Sequence, residues 1–379
     1  MNYFTFKGQF LFVVFMLLGC TSLFAADKES STTQVVVTLD HAGTLADKIG
    51  ENQKHNITSL KVVGEINGDD VALLRDMAGC DRYLFYSNGV LATLDLSEAK
   101  IVEGGGAYFE RYDMAMSDIQ YTKNDEIGES FFFNCSSLKS VSLPTTVKKI
   151  DFCAFAVCSN LESVTIPEGV TSIGACAFEF SENIKTMKLP STVTEIGNRA
   201  FYNCKGLESI NIPDDVKELG YCCFADCTSL TDFYLPSGIT TLGRYALSNC
   251  SALKSIRIPS SVTMVEDLAF LSCTGLEAVY VGWTTPLAIN TDAFNKVDKD
   301  ACKLYVPYGT LSAYKASTWG ECFTDIEEYD VTGVGKLPVA TDVNVVSRYA
   351  ADGHLLTAPV KGLNIVKYSD GSVRKVVVR

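Results

Sequence analysis

Histidine is scarce. The chain has three, His41, His55 and His354, far apart and without a metal-ligand neighbour pattern. A histidine-built metal centre is therefore not expected, and no cofactor is called for. No Gly-x-Ser-x-Gly elbow and no His-Glu-x-x-His pair occurs. Gly104-Gly105-Gly106 lacks the Gly-Lys-Ser/Thr ending of a phosphate loop and reads as a flexible turn. Positive charge is also short: 32 Lys and Arg face 45 Asp and Glu, a net charge of -13. That balance lacks the basic footprint of a nucleic-acid binder and favours solubility outside the cell. Beyond residue 26, no apolar run approaches the ~18 residues of a membrane span.

What the chain does have is periodicity. Proline falls at Pro144, Pro167, Pro190, Pro213, Pro236 and Pro259, always 23 apart. Phenylalanine keeps the same step at Phe132, Phe155, Phe178, Phe201, Phe224 and Phe270, with Leu247 filling the gap. Leu138, Leu161, Ile184, Leu207, Leu230, Leu253 and Leu276 form a third column. Cys135, Cys158, Cys204, Cys227, Cys250 and Cys273 form a fourth, with Ser181 in the one vacancy. A period in the 20–50 residue range marks a solenoid, whose units bury their apolar faces only by stacking.

Within one unit, Leu161, Val164 and Ile166 alternate inward as a short strand that Pro167 ends. Glu168-Gly169 make a corner, Val170 and Ile173 give a second inward pair, and Ala177-Phe178 a third. Stacked units place equivalent strands about 4.8 Å apart in parallel, with the Phe column as an aromatic stripe inside. The pattern L-x-x-V-x-I-P-x-x-V-x-x-I-G-x-x-A-F-x-x-C resembles the BspA-like family of bacterial surface leucine-rich repeats. Ile173-Gly174, Ile196-Gly197, Leu219-Gly220 and Leu242-Gly243 match its Ile-Gly step, whereas Asp151, Glu266 and Leu247 depart from the pattern. The resemblance implies an α/β leucine-rich-repeat solenoid, a right-handed coil with a parallel β-sheet face and irregular caps. It also implies a Bacteroidetes cell-surface or secreted protein that takes part in adhesion or binds host components.

Five segments follow. Residues 1–26, with Lys7, an apolar run and small residues, read as a signal peptide. Two processing sites compete there: a lipoprotein box that would lipidate Cys20 and anchor the chain to a membrane, and ordinary cleavage near Ala25-Ala26. Residues 27–130 read as an N-terminal cap with divergent repeats. Within them are a strand over 33–39, a short helix over 43–49, a strand over 57–62 and one over 91–96. A further helix runs from Asp69 to Met77, with its N-cap at Asp69 or Asp70. Residues 131–281 are the regular repeats. Residues 282–330 read as a stretched last repeat and cap, sealed by Tyr314, Trp319, Phe323 and Ile326. Residues 331–379 read as a linker and a small β tail in which Asp370-Gly371 turns a hairpin. The tail resembles the C-terminal sorting domains of Bacteroidetes secretion, with Asn364 in place of the usual aromatic.

An exported chain with 14 cysteines suggests disulfides. The columns argue otherwise. Parallel neighbours have Cβ atoms about 4.8 Å apart, wider than the ~3.8 Å of a good disulfide. The column thiols are expected to stay free, as small buried hydrophobes, and their parallel side chains do not converge on zinc.

Two outward columns carry the functional expectation. One reads Ser140, Ser163, Thr186, Ser209, Asp232, Ser255, Ala278 and the other Ser142, Thr165, Lys188, Asn211, Tyr234, Arg257, Tyr280. Tyrosine and arginine are enriched at binding hot spots, and Arg stacks on aromatic faces. The candidate site is Tyr234, Arg257 and Tyr280, flanked by Asn211, Lys188 and Asp232. It would be displayed on a monomer to an extracellular protein or glycan. The alternatives are a structural spacer without a dedicated ligand and a glycan-processing enzyme. The latter needs two carboxylates opposed across a cleft, and side chains on a regular face project side by side.

Overall fold

A computed structural model describes residues 34–112, 117–330, 345–350, 355–356, 361–368 and 373–378. Residues 1–26, read above as a signal peptide and including Cys20, and the Asp370-Gly371 turn lie outside the described residues. Each regular coil has three sides. The first carries the strand before the proline, such as Ser163–Thr165, which pairs in parallel with Ser140–Ser142 so that Val164 meets Val141. The proline ends it because it has no N–H to donate. Its carbonyl then closes a turn, accepting from Val170 N at 3.4 Å in this coil. The second side carries a two-residue strand: Ser172–Ile173 lies between Lys149–Ile150 and Glu195–Ile196. Gly174 and Gly197 follow because coils close in there: a Cβ on Gly174 would meet the Asp151 backbone at 2.6 Å, and one on Gly197 the Ala175 nitrogen at 2.5 Å.

The third side is built differently. Two residues per coil are left-handed, Cys153 (φ 53°) and Val157 (φ 62°) being one pair, and the pattern repeats from Ser130 and Asn134 to Leu268 and Ser272. Left-handed backbone is unfavourable for L-residues, most of all for a β-branched one such as Val157. It persists because it turns alternate N–H groups toward the next coil. Phe132 N donates to Ala154 O at 2.7 Å, Phe155 N to Ala177 O at 2.7 Å and Phe178 N to Ala200 O at 2.8 Å. The side is thus a ladder in which N–H groups run forward and carbonyls run back.

The Phe column lies inside as a stack. Phe155, Phe178, Phe201 and Phe224 follow one another at 5.2–5.4 Å between centroids and are parallel within 6°. Offset stacking of this kind adds about 0.5–1.5 kcal/mol per pair to burial. The cysteine column does more than fill space. Cys158 Sγ donates to Phe132 O at 3.0 Å, Cys204 to Phe178 O at 3.1 Å and Cys227 to Phe201 O at 3.2 Å. Ser181, the apparent vacancy, donates its hydroxyl to Phe155 O at 2.8 Å. The column holds small side chains with a proton to give, so these thiols are free and buried as expected and also donate to the preceding coil.

The N-terminal cap supplies strands Val35–Thr38 and Ser59–Ile66, which continue the first side through Thr93–Asp95 to Ser140–Ser142. Helix Gly68–Met77 starts one residue earlier than the acidic pair suggested. Asn67 is its N-cap, accepting from Asp69 N, and Asp70 returns the bond from the third helical position to Asn67 N. Asp70 also accepts from Gly43 N and Leu45 N, tying helix Leu45–Ile49 to this cap. Gly104-Gly105-Gly106 packs on the same helix start, with Gly106 N donating to Asp69.

The cap's other task is to satisfy the first carbonyls of the third side. Tyr108 Oη donates to Glu129 O at 2.8 Å. Fully buried Arg75 donates to Phe131 O at 3.0 Å and to Phe133 O at 3.2 Å. These are the positions whose later equivalents accept from the preceding coil.

At the other end the strand side continues through Ser255–Ile258, Ala278–Val281, Lys303–Pro307 and Ile326–Tyr329 as one parallel sheet. Phe294 stacks on Phe270 at 4.8 Å, and buried Tyr314, Trp319 and Phe323 close the core. Helices among the described residues belong to the caps. The tail forms an antiparallel sheet of Val345–Ala350, Leu355–Leu356, Gly362–Tyr368 and Val373–Val378. In it Asn364 is buried.

Candidate functional site

The strand side breaks into three hydrogen-bonded sheets, and the breaks divide the candidate residues. Lys188 and Asn211 are register partners in the middle sheet, where Asp232 pairs with Ser209. Asn211 is already committed: its side chain accepts from Leu189 N and donates to Leu189 O, both at 2.9 Å, in place of backbone pairing. The last strand of this sheet is Asp232–Phe233, so Tyr234 stands outside it. Tyr234 is 62% exposed and has no ring or cation partner among the described residues. It borders an open groove of about 610 Å³ whose floor includes Met187, Ile210 and Phe233.

Arg257 and Tyr280 are register partners in the third sheet. The structure adds two residues to them. Tyr280 pairs with Tyr305, and their rings stack at 4.5 Å within 8°. Tyr329, buried, meets Tyr280 edge-on at 5.5 Å and anchors its hydroxyl on Val281 O at 3.0 Å. The Arg257 guanidinium lies over Tyr280 at 4.7 Å and Tyr329 at 5.4 Å, and Nη1 donates to the Tyr329 hydroxyl at 3.3 Å. Each cation–ring contact contributes about 0.5–1 kcal/mol at an exposed site. Their larger effect is to hold a flexible side chain in one place, which lowers the entropy cost of binding.

The charges around this cluster are uneven. Lys303, beside Tyr305, is neutralised by Glu327 at 2.6 Å and Asp325 at 3.1 Å, and those bonds hold its pKa above the usual lysine value. Arg257 is exposed and has no carboxylate partner among the described residues. Burial, followed by neighbouring Tyr305, raises the Tyr280 phenol, and burial raises that of Tyr329, so both remain neutral hydrogen-bonding groups. The arrangement offers one fixed cation on an aromatic floor. It has no nucleophile or general base. The pattern of strand residues in Leu304-Tyr305-Val306 could have pointed to Tyr305. Tyr329 left no signal, because residues 282–330 read only as a stretched repeat and cap.

The buried thiols offer no chemistry either. Burial raises Cys135 and Cys273 to about 12 and Cys322 to about 11, so they stay protonated and unreactive. No disulfide links the described cysteines, and no group of three or more metal-ligating side chains converges among the described residues.

A family model described as the BspA type leucine rich repeat region, in six copies, matches residues 67–162 and 150–277. No curated protein matches the chain. Among solved structures, a leucine-rich repeat protein from Bacteroides ovatus is 26% identical, with 54% of this chain and 58% of that one covered and a TM-score of 0.37. This chain therefore spans little more than half of that protein. The leucine-rich repeat protein of T. pallidum is 28% identical over 41% of this chain and 72% of its own, with a TM-score of 0.38. A leucine rich cell surface protein from Faecalibacterium prausnitzii is 22% identical over 62% and 83%, with a TM-score of 0.26.

Proposed function

Because the chain belongs to the BspA type leucine-rich-repeat family, we propose that it is an exported binding protein whose strand side captures a carboxylate-bearing protein or glycan. The observation that carries this reading is Arg257, clamped on Tyr280 and Tyr329 and left without an acidic partner among the described residues. A guanidinium presents a planar fork that matches a carboxylate in two parallel bonds. Holding it on aromatic rings fixes that fork while leaving it exposed. On an acidic protein, such a site selects its ligand locally and does not rely on overall attraction. Adhesion to host or matrix components is the role that fits.

The test uses two probes, hexaglutamate for an acidic peptide and polygalacturonate for an acidic glycan. Surface plasmon resonance on the full chain should show saturable binding of at least one, weakened more than tenfold by Arg257→Ala and only partly restored by Arg257→Lys. If neither probe binds, or if Arg257→Ala binds as tightly as the parent, this site is not the capture face. Export through residues 1–26 belongs to the same proposal, as do the competing fates of Cys20 and the sorting role of the tail. The intact mass of the exported protein tests all three. A mass matching the uncleaved chain would refute export by this route. No helix among the described residues is long and apolar enough to cross a membrane.

A further inference from the structure

The third side of the coils carries a trough that the strand side does not explain. Equivalent positions in successive coils read Tyr202, Ala225, Ser248 and Leu271, so two small residues lie between two large ones. The result is a groove of about 520 Å³ that runs along the stack. Its two walls differ in chemistry. On one, Tyr221, 44% exposed, meets Tyr245 edge-on at 6.0 Å. On the other, Asp226 accepts from Asn249 Nδ2 at 2.7 Å and from the Tyr202 phenol; burial first, then the Asp226 carboxylate, raises that phenol's pKa.

We infer that this trough is a second binding site, for an extended chain of neutral sugars. Three features select that ligand. Tyrosine rings pack against the C–H faces of pyranoses, while a carboxylate and an amide on the facing wall bond to hydroxyl edges; few other ligands are apolar on one face and hydroxylated at the rim. The charge is divided between the walls: Arg199 lies over Tyr202 at 4.0 Å and is ion-paired to Glu179, Arg244 lies over Tyr245 at 5.0 Å, and Asp226 has no salt-bridge partner among the described residues, which disfavours an anion on its wall. The coil spacing, given by the Phe stack at 5.2–5.4 Å, is close to the advance of one pyranose in an extended β-linked chain.

The left-handed turns give this wall its precision. Tyr245, Asp226 and Asn249 all occupy left-handed positions, at φ 59°, 62° and 58°. Their N–H groups or those of their equivalents are tied to the adjoining coil, as Asp226 N is to Ser248 O at 2.9 Å and Asn249 N to Leu271 O at 2.7 Å. The site is thus rigid before the ligand arrives.

Calorimetric titration of the full chain with cellohexaose, xylohexaose and maltohexaose tests the inference. Cellohexaose or xylohexaose should bind saturably, and the curved α-linked maltohexaose at least tenfold more weakly. Tyr221→Ala and Asp226→Asn should each reduce binding about tenfold or more; the second keeps the shape of the wall and guards against a folding artefact. Tyr308→Ala, an exposed tyrosine of the C-terminal cap, should bind as the parent does. Absence of binding by both β-linked hexaoses at millimolar concentration would overturn the inference. So would equal binding of all three sugars, or binding indifferent to Tyr221 and Asp226.

Discussion

Replacing Ser181 separates two explanations of the cysteine column. Ser181 is fully buried, and its hydroxyl donates to Phe155 O at 2.8 Å, where its neighbours in the column donate a thiol. If the column exists to give a proton, Ser181→Cys should be nearly neutral, within about 1 kcal/mol, since the thiol keeps the donor and adds apolar bulk. Ser181→Ala removes the donor and strands a carbonyl in the core, which costs about 1–3 kcal/mol. With an m-value of ~2–3 kcal/mol/M, a loss of 2 kcal/mol lowers the urea midpoint by about 0.7–1 M. Far-UV circular dichroism in urea, under reductant, measures both variants. The refuting result is an alanine variant as stable as the cysteine variant: the hydrogen bond would then contribute nothing, and size alone would explain the column.

The Phe stack tolerates leucine at Leu247, which is itself fully buried. Phe201→Leu should therefore cost about 1 kcal/mol and Phe201→Ala about 3–5 kcal/mol, read from the same urea midpoints; equal losses would show that the stack does not set the cost. The buried thiols also predict sensitivity to alkali. A thiol raised from 9.0 to about 12 on folding, as at Cys135 and Cys273, stabilises fully below pH 9. That stability is lost as pH rises toward 12, by about 1.4 kcal/mol per thiol per pH unit. Urea midpoints should hold from pH 7 to 8.5 and fall from 9 to 10; a flat profile to pH 10 would contradict the burial of these groups.

The coil architecture was legible because four residue types kept one phase, and each type has a distinct reason to recur. Strand, corner and core positions followed from Leu161, Val164, Pro167 and Phe178. The third side was not legible. Cys153 and Val157 are not residues that favour left-handed backbone; only Asn134, Asn203, Asp226 and Asn249, aligned in one column, hinted at it. The role of the thiols depends on a carbonyl of the preceding coil, which a column of cysteines does not reveal, although Ser181 was a clue. At the candidate site, Arg257 and Tyr280 are 23 apart and their pairing followed from the period. Tyr305 comes after a step of 25, where an insertion had broken the phase, and Tyr329 lies off that column, its register partner being Pro307 and not Tyr305. Tyr234 kept the phase, but its strand ends one residue early. The helix start was displaced for a local reason: Asn67 and Asp70 bond reciprocally, and the pattern of acidic residues alone pointed to the acids.

The forward run of N–H groups along the third side has a consequence for fragments. Tyr108 and Arg75 cover the first row of carbonyls. A proteolytic piece beginning at the first regular coil would bare that row, and a second piece broken further along would bare the N–H row that fits it. Contacts of this head-to-tail kind grow into filaments unless their rotation closes them into a ring. In the full chain Arg75 and Tyr108 occupy that row, so the carbonyl half of such a contact is closed off.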